Sequence, residues 1–89
     1  MSLNADNDLS QIYFYISNDS LYYANKTIDN ILSRLEDLTL FHYMGRKVPE
    51  YNINNIRELI YKSYRIIYEI ESNKILIRRI WHSSRLLSK

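Results

Sequence analysis

The chain has 89 residues, enough for one domain, and no cysteine, so disulfides and cysteine-based zinc sites are excluded. A single glycine argues against glycine-rich phosphate loops, and the apolar runs are too short for a membrane-spanning helix. The formal net charge of +2 divides unevenly: residues 1–45 hold six acids and two bases, and residues 46–89 hold ten bases and four acids. We expect a cytoplasmic protein whose basic half meets a polyanion, although a solvated basic sheet edge gives the same pattern.

Two amphipathic helices are predicted in the first half. Leu9, Ile12 and Ile16 recur at helical spacing, and a second apolar stripe runs over residues 24–38. Asn4 or Asp6 is a candidate cap for the first helix, and the polar residues 17–20 separate the two and offer a cap for the second. We predict helices over about residues 5–17 and 20–39, joined as an antiparallel hairpin.

A loop and then three strands are predicted in the second half. Residues 41–55 contain the only glycine and the only proline, which indicates a structured loop. Period-two patterns and short polar joints predict strands over about residues 56–61, 64–71 and 74–82, paired as an antiparallel meander. The sequence therefore predicts a single α+β domain over residues 1–89, in which the helical hairpin covers one face of a three-stranded antiparallel sheet.

The last predicted strand has an irregular pattern. Ile75 and Ile77 share one parity, whereas Ile80 and His82 have the other. A β-bulge near residues 78 and 79 would bring all four side chains to one face, whereas a central strand buried on both sides would need no bulge.

The residues that could carry chemistry lie in the basic half. Arg57, Arg65 and Arg79 belong to three different predicted strands, and they could converge on the sheet face opposite the helices to bind a phosphate backbone. Each arginine could instead pair with a nearby acid such as Glu58. His82 could transfer a proton near neutral pH, and no metal or cofactor site is indicated.

Several segments, taken in order, resemble the RelE/ParE superfamily of bacterial type II toxins, which includes plasmid stabilisation proteins. The segments are Ala5–Ile16, Gly45–Glu50, Ile56–Leu59, Tyr64–Tyr68 and Ile80–Arg85. The resemblance implies a helical hairpin on a twisted antiparallel sheet, and a cognate antitoxin as partner. The N-terminal strand of that fold is short or absent here, and an unpaired sheet edge would favour a homodimer or strand addition.

The resemblance also implies a site for cleaving RNA without a metal ion. In the RNA-cleaving members a loop glutamate, strand arginines and a C-terminal histidine act on a phosphodiester. Carried over, Glu50 is the general base, Arg65 stabilises the scissile phosphate and His82 protonates the leaving oxygen. The expected phosphate contacts also include Lys47, Arg57, Arg79 and Arg85.

Three functions follow from the resemblance. The first is a toxin that cuts mRNA on the ribosome as an endoribonuclease. The alternative is a ParE-like inhibitor of DNA gyrase, since other members poison that enzyme. The third is a domain without catalytic activity that binds only its antitoxin. Ser83 stands where RNA-cleaving members often have an aromatic residue, which weakens the case for a nuclease.

Overall fold

The computed structural model describes residues 1–83, and the predicted phosphate contact Arg85 lies outside them. Two helices, α1 (Leu3–Ser17) and α2 (Leu21–Leu40), precede four strands: β1 (Arg46–Lys47), β2 (Ile56–Tyr61), β3 (Tyr64–Glu71) and β4 (Lys74–His82). All neighbouring strands are antiparallel, and they lie in the order β1-β2-β3-β4. The α+β prediction is confirmed. The sheet has four strands and not three, because β1 forms inside the predicted loop.

The helices begin at serine caps. The Ser2 hydroxyl accepts a hydrogen bond from the Ala5 N–H, and the Ser20 hydroxyl accepts one from the Tyr23 N–H. Such caps satisfy N–H groups that have no partner inside a helix. The first helix therefore starts at Leu3, two residues before the predicted position, and its cap is Ser2 and not Asn4 or Asp6. No helix within residues 1–83 is long and apolar enough to cross a bilayer.

The core lies between the helices and one face of the sheet, which we call the helix-covered face. Ile66 and Tyr68 of β3 are fully buried there and pack against Ile31 and Leu38 of α2. The opposite, loop-covered face is covered by the segment 48–55, from which Val48 packs on Ile67. Both faces of β3 are therefore buried. Successive side chains of β2 and β4 point alternately to the helix-covered face and to the loop-covered face.

A β-bulge in β4 is confirmed. Ile67 pairs with Arg79 and Tyr68 pairs with Ile77, so Arg78 is the extra residue. The bulge places Ile77 and Ile80 together on the helix-covered face, where both are buried. A bulge of this kind restores the alternation that the irregular sequence pattern had lost.

The outer edge of β4 is covered at the bulge. The Ser2 N–H donates to the Ile77 carbonyl at 2.9 Å, and the Ser2 hydroxyl donates to the Arg78 carbonyl at 2.9 Å. Two residues further, the Asp8 carboxylate accepts a hydrogen bond from the Ile80 N–H at 2.9 Å. Because α1 starts directly against this edge, these β4 groups already have partners within the chain and are not open for strand addition.

Candidate functional site

A buried network of charges lies on the loop-covered face. The Arg65 guanidinium donates to both oxygens of Glu50 at 2.9 Å, and its Nε donates to Glu58 at 2.7 Å. The second oxygen of Glu58 accepts the Nε of Arg46, also at 2.7 Å. The side chains of Glu58 and Arg65 are 0% and 6% exposed, whereas that of Arg46 is 65% exposed. Two arginines and two glutamates thus form a neutral chain that runs from the surface into the interior.

The strands and the loop explain this network. Glu58 and Ile60 of β2 point to the same face as Arg65 of β3, because Ile60 pairs with Arg65 and Glu58 pairs with Ile67. Glu50 arrives from the loop, two residues after the buried Val48. Hydrogen bonds to Glu50 are the largest influence on the pKa of Arg65 and raise it, burial acts in the opposite direction, and Glu58 raises it further. Arg65 therefore stays positively charged, and its guanidinium is already bound to two carboxylates.

His82 extends from the other face of the sheet. It pairs with Tyr64 in the β3–β4 ladder, whereas Arg65 pairs with Trp81. The His82 and Tyr64 rings meet edge to face with their centroids 6.0 Å apart. They line a cavity of about 510 Å³ beside α1, where burial, and to a lesser extent the neighbouring Tyr15, raises the pKa of Tyr64. The sheet thus separates His82 from Glu50 and Arg65.

Arg57 lies on the helix-covered side of β2, opposite Tyr68, so the expected convergence of Arg57 with Arg65 and Arg79 on one face is wrong. Its guanidinium donates to the carbonyl and side-chain oxygens of Asn54 at 2.8 and 2.7 Å and to the Gly45 carbonyl at 3.1 Å. It also stacks on the Tyr43 ring, 4.9 Å from the centroid. Arg57 therefore fastens the segments on both sides of β1.

Lys47 and Arg79 have opposite surroundings. Lys47 is exposed on β1, opposite Arg57. Arg79 shares the loop-covered face with Arg65, but it donates to both oxygens of Asp8 at 2.9 and 3.0 Å and lies 4.4 Å from the centroid of the Trp81 ring. Arg79 is thus bound to Asp8 within the chain, whereas Lys47 is exposed to solvent.

The comparisons with known proteins give one family and one fold. A family model described as "ParE toxin of type II toxin-antitoxin system, parDE" matches residues 1–87. This chain belongs to the ParE toxin family. A solved structure described as "Chromosomal ParDE TA system from P. aeruginosa" has the same fold, with a TM-score of 0.74 and 21% identity over 91% of this chain and 89% of that chain. Curated proteins give no match.

Two acids hold this ParE-family fold together, and the sequence pattern assigns neither of them a specific partner. By that pattern Glu58 is one of several possible counter-ions, and Asp8 is only a part of the matched first helix. Asp8 is 6% exposed and lies on the buried side of α1, three residues after the fully buried Ala5. That position is the available sequence signal, because an acid on an apolar stripe needs a buried partner. Among the described residues, no group of histidine and acidic side chains could hold a metal ion.

Proposed function

We propose that this ParE-family chain stops growth by binding and inhibiting DNA gyrase, and not by cutting mRNA. The observation that carries the proposal is the separation of the three groups assigned to cleavage. Glu50 and Arg65 bind each other on the loop-covered face, and His82 extends from the helix-covered face. Cleavage of a phosphodiester needs its base and its acid within hydrogen-bond reach of one substrate.

The contacts of Arg65 with two glutamates also argue against RNA cleavage. A phosphate would have to displace a glutamate from a guanidinium that is 6% exposed and already bound to two carboxylates. Such a displacement leaves buried carboxylates without a partner, which is costly. Membership of the ParE family also supports the gyrase alternative, since the gyrase-poisoning members of the superfamily are its ParE-like toxins. A cognate antitoxin then prevents the inhibition.

The proposal is tested with purified gyrase and the purified chain. We expect the chain to inhibit supercoiling of a relaxed plasmid in proportion to its concentration, and to accumulate cleaved DNA bound to the enzyme. The matched control is the same chain mixed beforehand with its antitoxin, which we expect to restore supercoiling. Normal supercoiling at a large excess of the chain over gyrase would overturn the proposal.

The mRNA alternative is tested in cells by mapping mRNA 5′ ends after induction of the wild-type chain. We expect growth arrest with an unchanged set of ends. New ends that disappear in His82→Ala and persist in Ser83→Ala, its exposed neighbour, would establish cleavage and contradict the gyrase proposal. Unimpaired growth on induction would instead support a domain that only binds an antitoxin.

A further inference from the structure

Two cations face each other at the β1 edge of the sheet. Lys47 pairs with Arg57, and their side chains lie on the same face. The Val48 N–H donates to the Ile56 carbonyl at 3.3 Å, so hydrogen-bonded residue pairs flank Lys47 and Arg57. Their own pair is therefore of the non-hydrogen-bonded kind, in which the Cα atoms are only about 4.5 Å apart and side chains approach closely. Like charges in this position destabilise a sheet.

No acid compensates either charge within residues 1–83. Among residues 1–83, Arg57 donates only to the neutral oxygens of Asn54 and Gly45, and the Lys47 side chain has no hydrogen bond or ion pair. The Arg57 bonds use three of the five N–H groups of a guanidinium, so two remain for a ligand. The Lys47 backbone N–H points outward from the edge, because its residue pair exchanges no hydrogen bonds. Several donors and two positive charges therefore meet at one exposed place.

We propose that the Lys47–Arg57 pair binds a phosphodiester of a nucleic acid strand. An anion between the two side chains would remove the repulsion that the unoccupied edge carries. The exposed Tyr43 ring favours a nucleic acid over an acidic peptide, because it already lies against the Arg57 guanidinium and is 55% exposed. An aromatic platform beside cations is the arrangement that holds single strands, with bases on the ring and phosphates on the cations.

This site is separate from the proposed inhibition of gyrase. Its binding of an oligonucleotide is measured on the isolated chain, with no gyrase present. Failure of either proposal therefore leaves the other standing. A fluorescently labelled single-stranded DNA oligonucleotide is the probe, and its binding is followed by fluorescence anisotropy over a range of salt concentrations. The same sequence as RNA and as duplex DNA shows which source of phosphodiester the site prefers.

Lys47→Glu is the decisive variant, because it should weaken oligonucleotide binding and at the same time stabilise the fold. We expect oligonucleotide binding to weaken on the order of tenfold, with the slope of log affinity against log salt reduced by about one. We expect the free energy of unfolding to rise, since the new carboxylate faces Arg57. Lys47→Gln should lie between the wild type and Lys47→Glu in both measurements.

Lys26→Glu is the matched control. It makes the same change in net charge at an exposed position on α2, and should leave oligonucleotide affinity nearly unchanged. Equal losses in Lys47→Glu and Lys26→Glu would overturn the proposal, because net charge alone would then account for binding. Wild-type affinity in Lys47→Glu, or binding of a polyglutamate peptide in preference to every oligonucleotide, would overturn it as well.

Discussion

The Glu58 carboxylate has no exposed surface, and two arginines hold it from opposite sides. Removing a charged group from water costs several kcal/mol unless its partners compensate for the lost hydration. Arg65 supplies that compensation from within the structure, and Arg46 supplies it from the surface. The two contacts have similar lengths, 2.7 Å from each Nε, but they lie in different surroundings. Solvent screens the exposed Arg46 contact much more than the buried Arg65 contact.

We predict that Arg65→Ala lowers the free energy of unfolding by about 3–5 kcal/mol, because it leaves a buried carboxylate without its buried partner. Arg46→Ala, which removes the exposed partner of the same carboxylate, should cost less than about 1 kcal/mol. Urea unfolding followed by circular dichroism measures both values. Equal losses would show that burial does not distinguish the two arginines.

The choice of residues for toxicity assays follows from this prediction. A variant at Arg65 that loses toxicity has two explanations, loss of a functional contact and loss of the folded chain. His82 is exposed, so its replacement tests function with a smaller effect on stability. Mutational scans for the mechanism should therefore weigh His82 and Lys47 more heavily than Arg65.

The positions of the arginines show what sequence periodicity can and cannot predict. Periodicity assigns Arg57 and Arg65 to strands correctly, but the face that each occupies depends on the register between β2 and β3. In that register Arg57 pairs with Tyr68 and Arg65 pairs with Ile60, which places the two arginines on opposite faces. A shift of one residue would have placed both arginines on one face, and the register depends on the two-residue turn between β2 and β3 and not on the strands alone.

At the scale of elements, α1 and β4 depend on one another. The Asp8 carboxylate accepts three hydrogen bonds from β4, two from the Arg79 guanidinium and one from the Ile80 N–H. The Ile80 N–H lies on the outer edge of β4, two residues beyond the bulge residue Arg78. Asp8 thus supplies a partner for an N–H on the open side of the last strand, and it attaches the helix at the same point.

We predict that Asp8→Asn lowers the free energy of unfolding by about 2–3 kcal/mol, because an amide offers one acceptor oxygen where the carboxylate offers two. Asp6→Asn, at an exposed position in the first turn of the same helix, should cost less than about 1 kcal/mol. Chemical denaturation measures both. A small loss for Asp8→Asn would mean that the Ser2 contacts and the apolar packing of α1 are enough to hold the helix against β4.

The sequence predicts some of the strands more clearly than others. The change of parity between Ile77 and Ile80 allows either a bulge or a strand buried on both faces, and only the register between β3 and β4 decides for the bulge. The strands β2, β3 and β4 have the bounds that alternation predicts. By contrast, β1 has two residues between the only glycine and Val48, which is too short for any periodic signal. It forms because Arg57 and Glu58 of β2 hold it in place.

Across the whole molecule, Tyr68 connects the helical hairpin to the middle of the sheet. Its hydroxyl donates to the His42 carbonyl at 2.8 Å, just after α2, and accepts the Gly45 N–H at 3.0 Å, just before β1. A side chain at Gly45 would have its Cβ 2.6 Å from that hydroxyl and 2.5 Å from the Glu58 carbonyl, so this close approach requires glycine. The Tyr68 hydroxyl thus joins the end of the helical half to the start of the sheet half.

The stability of the whole chain should therefore depend on the protonation of Tyr68. Burial is the main influence on the pKa of Tyr68 and raises it above its ordinary value of 10.0. The folded chain then keeps the phenolic proton at a pH where the unfolded chain loses it, so unfolding releases a proton. The contribution of the protonated phenol is complete below pH 10.0 and is lost as the pH rises through the higher folded value.

We predict that the difference in unfolding free energy between the wild type and Tyr68→Phe shrinks as the pH rises from neutral to above 10.0. Ile66→Val is the matched control, since it should cost about 1 kcal/mol in the same strand without removing a titrating group. Its difference from the wild type should stay constant over the same pH range. Urea unfolding at each pH measures both, and the tyrosinate absorbance of the wild type minus that of Tyr68→Phe gives the pKa directly. A midpoint at or below 10.0 would contradict the role of burial.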